Sequence, residues 1–408
     1  MYLVGEALEG ALLSIGATHE TLFAEPPDPS AALWTGPQPT LDELADRLKL
    51  EVRPIAEFEG APGSACAPPV DALTTWWLSD LLDRPLEPAY GEPQSPEDAL
   101  LAEALIELRS RHDAAALAQL RWAATVTVEA HCSGMRATSV GAREYQVCAA
   151  MQQVIARHGM AQAYQPIVTV HGEVLHNESH AQVLQNGDLL LADVGAETPE
   201  GWAADVTRTW PVNGRFSTPQ RDLYEVVLNA QQRAIDTVRP NVRYLEVHLC
   251  AQRALASGLA DLGILRGSVD DLVEAGAVAV FFPHGVGHLL GLDVHDMEDL
   301  GDRAGYPTGR GRQSAPGTRY LRLDRDLLPG MLVTIEPGFY QIAGLLAEAS
   351  RDRVLAKLID FDRLAKFADV RGIRIEDDVL VTDDGAEVLT SAAPKSVDLL
   401  EAHCQAAR

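Results

Sequence analysis

Leu189-Leu190-Leu191-Ala192-Asp193-Val194-Gly195-Ala196-Glu197-Thr198-Pro199-Glu200-Gly201-Trp202-Ala203-Ala204-Asp205-Val206-Thr207-Arg208-Thr209-Trp210 is the stretch from which the rest of the chain can be read. An apolar run ends in a carboxylate, a Thr-Pro-Glu-Gly turn follows, and a second carboxylate leads into a β-branched, aromatic-ended run. That is the pattern of two strands joined as a hairpin. A hairpin centred near Pro199 places Asp193 and Asp205 roughly opposite each other on one face, with Cα atoms about 4.5 Å apart in a non-hydrogen-bonded pair. Two carboxylates so placed repel unless a cation lies between them. A solvated hairpin with acids on its outer face is the alternative, but neither acid stands at the loop tip.

Three further segments carry the same kind of signal. In Thr334-Ile335-Glu336-Pro337-Gly338, Thr334 and Glu336 share a strand face, and in Ile373-Arg374-Ile375-Glu376 the isoleucines face away from Arg374 and Glu376. Burial of such acids is costly unless a partner or a metal offsets it. Pro283-His284-Gly285-Val286-Gly287-His288, with His295-Asp296 seven residues on, gathers three histidines among permissive glycines. The spacing is not the HExxH of helical zinc proteases. Asp193, Asp205, Glu336 and Glu376 carry four negative charges, which two divalent cations cancel, with His288 as the single imidazole ligand. Oxygen-rich donors of this kind suit Mn2+ first, with Co2+, Fe2+ or Zn2+ as alternatives. Two ions about 3.5–4 Å apart would bridge a hydroxide and polarise a carbonyl, the two-metal route to hydrolysis.

The chain has 408 residues, enough for two domains, and 47% hydrophobic residues with no low-complexity tract. Its formal net charge of −26 argues against a nucleic-acid or anionic-membrane surface, which needs Lys and Arg to meet phosphates. Five cysteines (Cys66, Cys132, Cys148, Cys250, Cys404) without CxxC spacing point to reduced thiols in a cytoplasmic protein. The N-terminus lacks a basic region and an apolar core of a leader, and no stretch has the length and apolarity of a membrane span.

Arg84-Pro85-Leu86-Glu87-Pro88-Ala89-Tyr90-Gly91-Glu92-Pro93 cannot sustain helix or central strand and is the expected connector. It divides a small α/β domain, 1–92, from a catalytic domain, 93–408, for which strands in antiparallel pairs with helices elsewhere give an α+β class. In the first domain, Ala32-Leu33-Trp34 and Leu48 to Ile55 read as strands and Thr40-Leu41-Asp42-Glu43 as a capped helix start. In the second, Ser95-Pro96-Glu97-Asp98 caps a helix, a long helix over roughly 112–131 stops at Ser133-Gly134-Met135, and another spans about 142–157. Strands follow at Tyr164 to Val170, Asp188 to Val194, Ala204 to Trp210, Leu332 to Glu336 and Ile373 to Thr382. Ser217-Thr218-Pro219 opens a helix that Pro240 stops, and Leu321 to Leu323 reads as strand.

Taken together, the aspartate hairpin, Phe282-Pro283-His284-Gly285-Val286-Gly287-His288 with Asp293-Val294-His295-Asp296, Ile335-Glu336-Pro337-Gly338 and Gly372-Ile373-Arg374-Ile375-Glu376-Asp377 resemble the pita-bread metallopeptidases. That family holds methionine aminopeptidases, aminopeptidase P, creatinases and prolidases. The resemblance covers about 96–408, and from Val294 through Tyr340 it is most similar to bacterial prolidases. It implies that Asp193 chelates one ion, that His288 and Glu336 hold the other, and that Asp205 and Glu376 bridge both. It implies that His295 contacts the scissile carbonyl or tetrahedral intermediate, that Glu336 also relays protons, and that His284 acts beside the ligands. His176, Tyr164, Arg374 and Arg322 are then expected around the substrate, with Arg322 where prolidases bind a dipeptide's C-terminal carboxylate.

The resemblance further implies a homodimer and, as activity, release of proline from Xaa-Pro dipeptides by a metal-bridging hydroxide. Aminopeptidase P action on longer peptides is the alternative, and a non-catalytic binding protein on the same fold is a third reading. Two departures stand out. The aspartate hairpin is one residue longer than the usual family spacing, and the N-terminal domain is short and carries no motif of its own.

Overall fold

The computed structural model describes residues 2–6, 8–88 and 92–405. The chain divides into two compact units, Met1–Ala102 and Glu103–Arg408. The division falls inside the helix Pro96–Arg109, downstream of the expected 92/93 boundary. Of the expected connector, Ala89, Tyr90 and Gly91 lie outside the described residues.

In the first unit, Leu12–Ile15 pairs antiparallel with Glu20–Ala24, which pairs parallel with Glu51–Pro54. A parallel pair needs a crossover, and the helix Leu41–Leu48 supplies it. Thr40 and Glu43 close that helix with reciprocal side-chain-to-backbone bonds, as expected from Thr40-Leu41-Asp42-Glu43. The strand expected at Ala32-Leu33-Trp34 is instead a helical turn, Ala32–Thr35, with Leu33 and Trp34 81% and 83% exposed. Strand propensity there reflects half-burial, and among the described residues no sheet covers these side chains. The strand expected at Leu48 to Ile55 is confined to Glu51–Pro54, because Leu48 completes the preceding helix.

In the second unit every paired strand is antiparallel among the described residues, and long helices cover the sheets. One sheet runs Ile167–Thr169, Leu189–Asp193, Thr207–Pro211; another runs Ala386–Val388, Asp377–Val381, Leu332–Ile335; Gly338–Tyr340 pairs with Gly372–Arg374. Helices Ala114–Ala137, Glu144–Arg157, Thr218–Thr237 and Tyr244–Asp261 are the longest described helices that lie wholly within this unit. Ser217 caps the third as its sequence predicts. The fourth starts after Arg243 with no side-chain cap, so its sequence carries no start signal.

Ser133-Gly134-Met135 does not break its helix, which continues to Ala137. Gly134 is there for contact: a Cβ on it would lie 2.8 Å from Met151 Sδ on the neighbouring helix Glu144–Arg157. Close approach of the two helices offsets the helix-propensity cost of glycine, about 1 kcal/mol. The expected strand Ile373 to Thr382 is split between two sheets, with Ile375 and Glu376 in the break. Leu321 to Leu323 is not a strand; Leu321 and Leu323 are buried on an irregular segment.

The aspartate hairpin forms with a shifted register. Asp193 pairs with Thr207, not with Asp205, and the same alignment carries Ala204 N–H to Ala196 O and Gly201 N–H to Thr198 O across the turn. Asp193 and Asp205 are therefore diagonal neighbours two residues out of register. An even offset keeps both on one face, because side chains alternate with period two. Gly195 makes the bend between them possible: a Cβ there would collide with Ala204 O at 1.8 Å.

Candidate metal centre and active site

Each expected ligand reaches the centre from a different piece of backbone. Asp193 ends a fully buried strand, Asp205 precedes its partner strand, Glu336 follows Leu332–Ile335, and Glu376 sits in the break before Asp377–Val381. His288 follows Gly287, whose φ of +155° and lack of Cβ let the chain pass within contact of Thr334 O and the Tyr244 hydroxyl. All five side chains line one cavity of about 480 Å³, together with His176, His284, His295, Arg319, Arg322 and Arg374.

Asp205, His288 and Glu376 each offer a donor atom within 4.8 Å of the others. His288 Nε2 lies 3.5 Å from Asp205 Oδ2 and 3.8 Å from Glu336 Oε1. Its Nδ1 donates to Leu289 O at 2.9 Å, and the neighbouring acids raise the pKa of the ring, so without metal Nε2 also carries a proton toward the carboxylates, one that a bound ion would displace. A histidine whose Nδ1 is fixed in this way is prepared to bind a metal through Nε2.

Tyr164 stands between the two aspartates, its hydroxyl 2.5 Å from Asp193 Oδ1 and 2.6 Å from Asp205 Oδ1. One phenolic proton serves two acids, so it cannot neutralise the pair. Arg374, 4% exposed, donates from Nη2 to Asp193 Oδ2 at 2.6 Å, from Nη1 to the Tyr340 hydroxyl and from Nε to Thr207 Oγ1. It borders the cavity, with its guanidinium bound to Asp193.

The electrostatics show an excess of buried negative charge. Burial, then the charge of Asp205, pushes the Asp193 carboxyl up to about 6. Burial carries Glu336 up to about 7, against the pull of His288 and Arg374. Glu376 is raised well above its ordinary value by burial and by the three other acids. Burial raises Asp205 too, but the hydrogen bond and charge of His288 outweigh it and hold this carboxyl below its usual range. Arg374 and His288 are too few to balance four acids. Divalent cations would supply the missing charge, so the donor set fits a metal pair on charge, donor type and convergence.

The remaining expected residues ring this cluster. His284 places Nε2 2.8 Å from the Tyr340 hydroxyl and Nδ1 3.7 Å from Glu336 Oε2, and burial, then Arg374, lowers its pKa to about 3. The His295 ring meets that of His288 edge-on at 4.5 Å, and burial followed by the charge of His288 lowers its pKa. His176 is exposed in the cavity wall, and partial desolvation, then the charge of Arg374, lowers its pKa. Arg322 also lines the cavity, but its Nη1 is bound to both oxygens of Glu298.

Several supporting groups escaped the sequence reading. Thr207 donates to Glu376 Oε2 at 2.7 Å, and Asp378 accepts the backbone N–H of Asp205. Asp377 turns away from Glu376 into a buried ion pair with Arg208 at 2.7 Å, joined by Lys395, Gln231 and Thr390. Alternation in Thr207-Arg208-Thr209 was the available signal, since it sends Arg208 and the two threonines to opposite faces.

Residues 118–383 match the model for metallopeptidase family M24, and residues 1–67 match the aminopeptidase P N-terminal domain. The chain belongs to metallopeptidase family M24. Among its relatives, the Xaa-Pro dipeptidase of Homo sapiens is 39% identical over 314 residues, 75% of this chain and 62% of that protein. The chain thus spans under two thirds of the length of the dipeptidases it matches. A probable Xaa-Pro aminopeptidase pepP of Botryotinia fuckeliana is 32% identical over 98% of this chain and 85% of that one. The solved aminopeptidase PepP of Pseudomonas aeruginosa superposes with a TM-score of 0.79 at 30% identity, covering 100% of this chain and 88% of that one. The M24 assignment carries the expected architecture with it: a small N-terminal domain followed by the pita-bread catalytic fold. No described helix is long and apolar enough to cross a membrane.

Proposed function

We propose that this M24 protein is a dinuclear-metal Xaa-Pro dipeptidase, holding its ions with Asp193, Asp205, His288, Glu336 and Glu376 and working best with Mn2+. The observation that carries the reading is the polarity of the cavity. Four acids and His288 line it, and Arg322 lines the same space with a guanidinium shared only with the partly exposed Glu298. A dipeptide has that pattern in reverse, a scissile carbonyl for the metals and a free carboxylate for the arginine.

Two ions held there would activate water and polarise the scissile carbonyl. The chain does the rest. Glu336, whose carboxylate reaches the cluster beside His288, would take and return the proton of the attacking water. His295, kept neutral by its surroundings, is placed to donate to the carbonyl oxygen as charge develops there. A peptide bond to proline lacks an N–H, so recognition rests on the carbonyl and the terminal carboxylate. His176 and His284 flank the same space as substrate contacts.

Full-length similarity to Xaa-Pro aminopeptidases favours a second reading, in which longer peptides are accepted. Hydrolysis of Ala-Pro against Ala-Pro-Ala, after chelation and return of Mn2+, separates the two. Preference for Ala-Pro supports the dipeptidase, preference for Ala-Pro-Ala supports the aminopeptidase, and cleavage of neither sinks both. The proposal includes a cytoplasmic homodimer. Exposed Leu33, Trp34, Leu73 and Trp76 give the N-terminal unit apolar surface that a second copy would cover, and sedimentation tests this.

A further inference from the structure

Between His288 and His295 the chain makes a closed loop, gripped from the corner that joins the helices Pro96–Arg109 and Ala114–Ala137. Arg109 Nη2 donates to Asp296 Oδ1 at 2.6 Å and to Asp293 Oδ2 at 3.2 Å. His112 Nε2 donates to Leu290 O at 2.9 Å, and its ring meets Trp202 edge-on at 5.5 Å. Within the loop, Asp296 N–H donates to Leu289 O at 3.0 Å and Asp293 N–H to Asp296 Oδ1 at 3.3 Å. There is no slack: a Cβ on Gly291 would lie 2.4 Å from Asp296 Oδ2 and 3.0 Å from the His112 ring.

Asp296 and His295 are sequence neighbours with opposite surroundings. Asp296 is 3% exposed and points into the grip, while the His295 side chain is 40% exposed and lines the cavity. Whatever fixes Asp296 therefore fixes the base of His295. The same loop is tied to the aspartate hairpin, since Ala203 N–H donates to Gly291 O at 2.9 Å, two residues before Asp205.

We propose that Arg109 is a positioning residue: by holding the buried carboxylate of Asp296 it sets where His295 meets the substrate, with His112 as a second strut. The proposal rests on the peptidase reading of the cavity. Without Arg109 the Asp296 carboxylate stays buried without its cation, so it must draw in water or a proton, and the loop loosens. A displacement on the order of 1 Å at a reacting centre can cost on the order of a hundredfold in rate.

The full-length, manganese-loaded enzyme tests this with two variants. Arg109→Lys keeps the charge and loses the planar guanidinium whose Nη2 donates to both Asp296 and Asp293. Arg109→Met combined with Asp296→Asn removes both buried charges, and Asp293, which also loses Arg109, is 60% exposed and stays solvated. Both are expected to lower kcat on Ala-Pro by on the order of ten- to a hundredfold, with KM and bound manganese close to the parent's. Amide hydrogen exchange over 290–297 should quicken in both. Parental kcat with parental exchange in either folded variant overturns the proposal. So does loss of kcat in step with loss of manganese, which would make the grip a support of the metal centre and not of His295. A parent enzyme that cleaves neither Ala-Pro nor Ala-Pro-Ala sinks the peptidase reading by itself, and unchanged exchange in Arg109→Lys would still refute the grip.

Discussion

Arg322 holds Glu298 through a single guanidinium nitrogen, which donates to both carboxylate oxygens at 2.5 and 2.7 Å while the arginine lines the cavity that holds the four acids. Both side chains are partly exposed, 35% and 40%, and an exposed pair of this kind contributes little to stability. A substrate carboxylate can therefore share or displace Glu298 at small cost. Arg322→Ala should reduce kcat/KM for Ala-Pro by about 1.5–3 kcal/mol, the worth of a charge-assisted hydrogen bond, and spare Ala-Pro-amide. Equal losses on both substrates would show that Arg322 acts through folding or metal geometry.

Tyr164→Phe should weaken metal binding more than it weakens the fold. Its hydroxyl orients Asp193 and Asp205 together, and loss of a group that orients ligands costs metal affinity on the order of 10–100-fold. Calorimetric titration with Mn2+ checks this. Unchanged affinity would mean that Arg374 and Asp378 suffice to place the two acids.

Removal of metal should make stability fall as pH rises. Asp193 and Glu336, lifted to about 6 and about 7, bind protons in the folded chain that the unfolded chain has already released near pH 4–5. Groups with raised folded pKa values stabilise fully below their unfolded values and lose that contribution as pH climbs through the folded ones. Chelated protein should accordingly lose Tm steadily between about pH 5 and 8, and added Mn2+ should abolish most of that slope. A chelated protein whose Tm is flat over this range would show that the acids are already balanced.

His295→Ala should lower turnover on Ala-Pro and leave manganese content near that of the parent. Its ring stacks edge-on against His288 and lines the cavity, yet it is not among the groups that converge with Asp205 and Glu376. Loss of one transition-state donor costs about 10²–10³ in kcat. Manganese analysis of the purified variant decides between the roles, because a fall in bound metal would make His295 a ligand.

The cluster was legible because each acid or histidine sits in a short, strongly patterned segment. Asp193 ends an apolar run, Glu336 precedes a proline, and His288 follows two glycines, so strand period and turn chemistry locate them without tertiary information. The hairpin register was off by two because the turn centres one residue later than Pro199, and only the paired strands show this. Gly134 and Trp34 misled for the same reason: a helix-helix contact with Met151 decides one, and absence of a covering sheet the other. Partners far apart in sequence, such as Arg109 with Asp296 or Arg374 with Asp193, follow from packing and leave no local trace.

The two-metal reading meets its most direct test in a manganese titration of the chelated protein, following bound metal and Ala-Pro hydrolysis on the same samples. Binding is expected to saturate at two ions per chain, with hydrolysis rising from nothing as the sites fill, and Glu376→Ala should lose both. Full hydrolysis by the metal-free protein, or a Glu376→Ala variant that binds two ions and turns over like the parent, would contradict it.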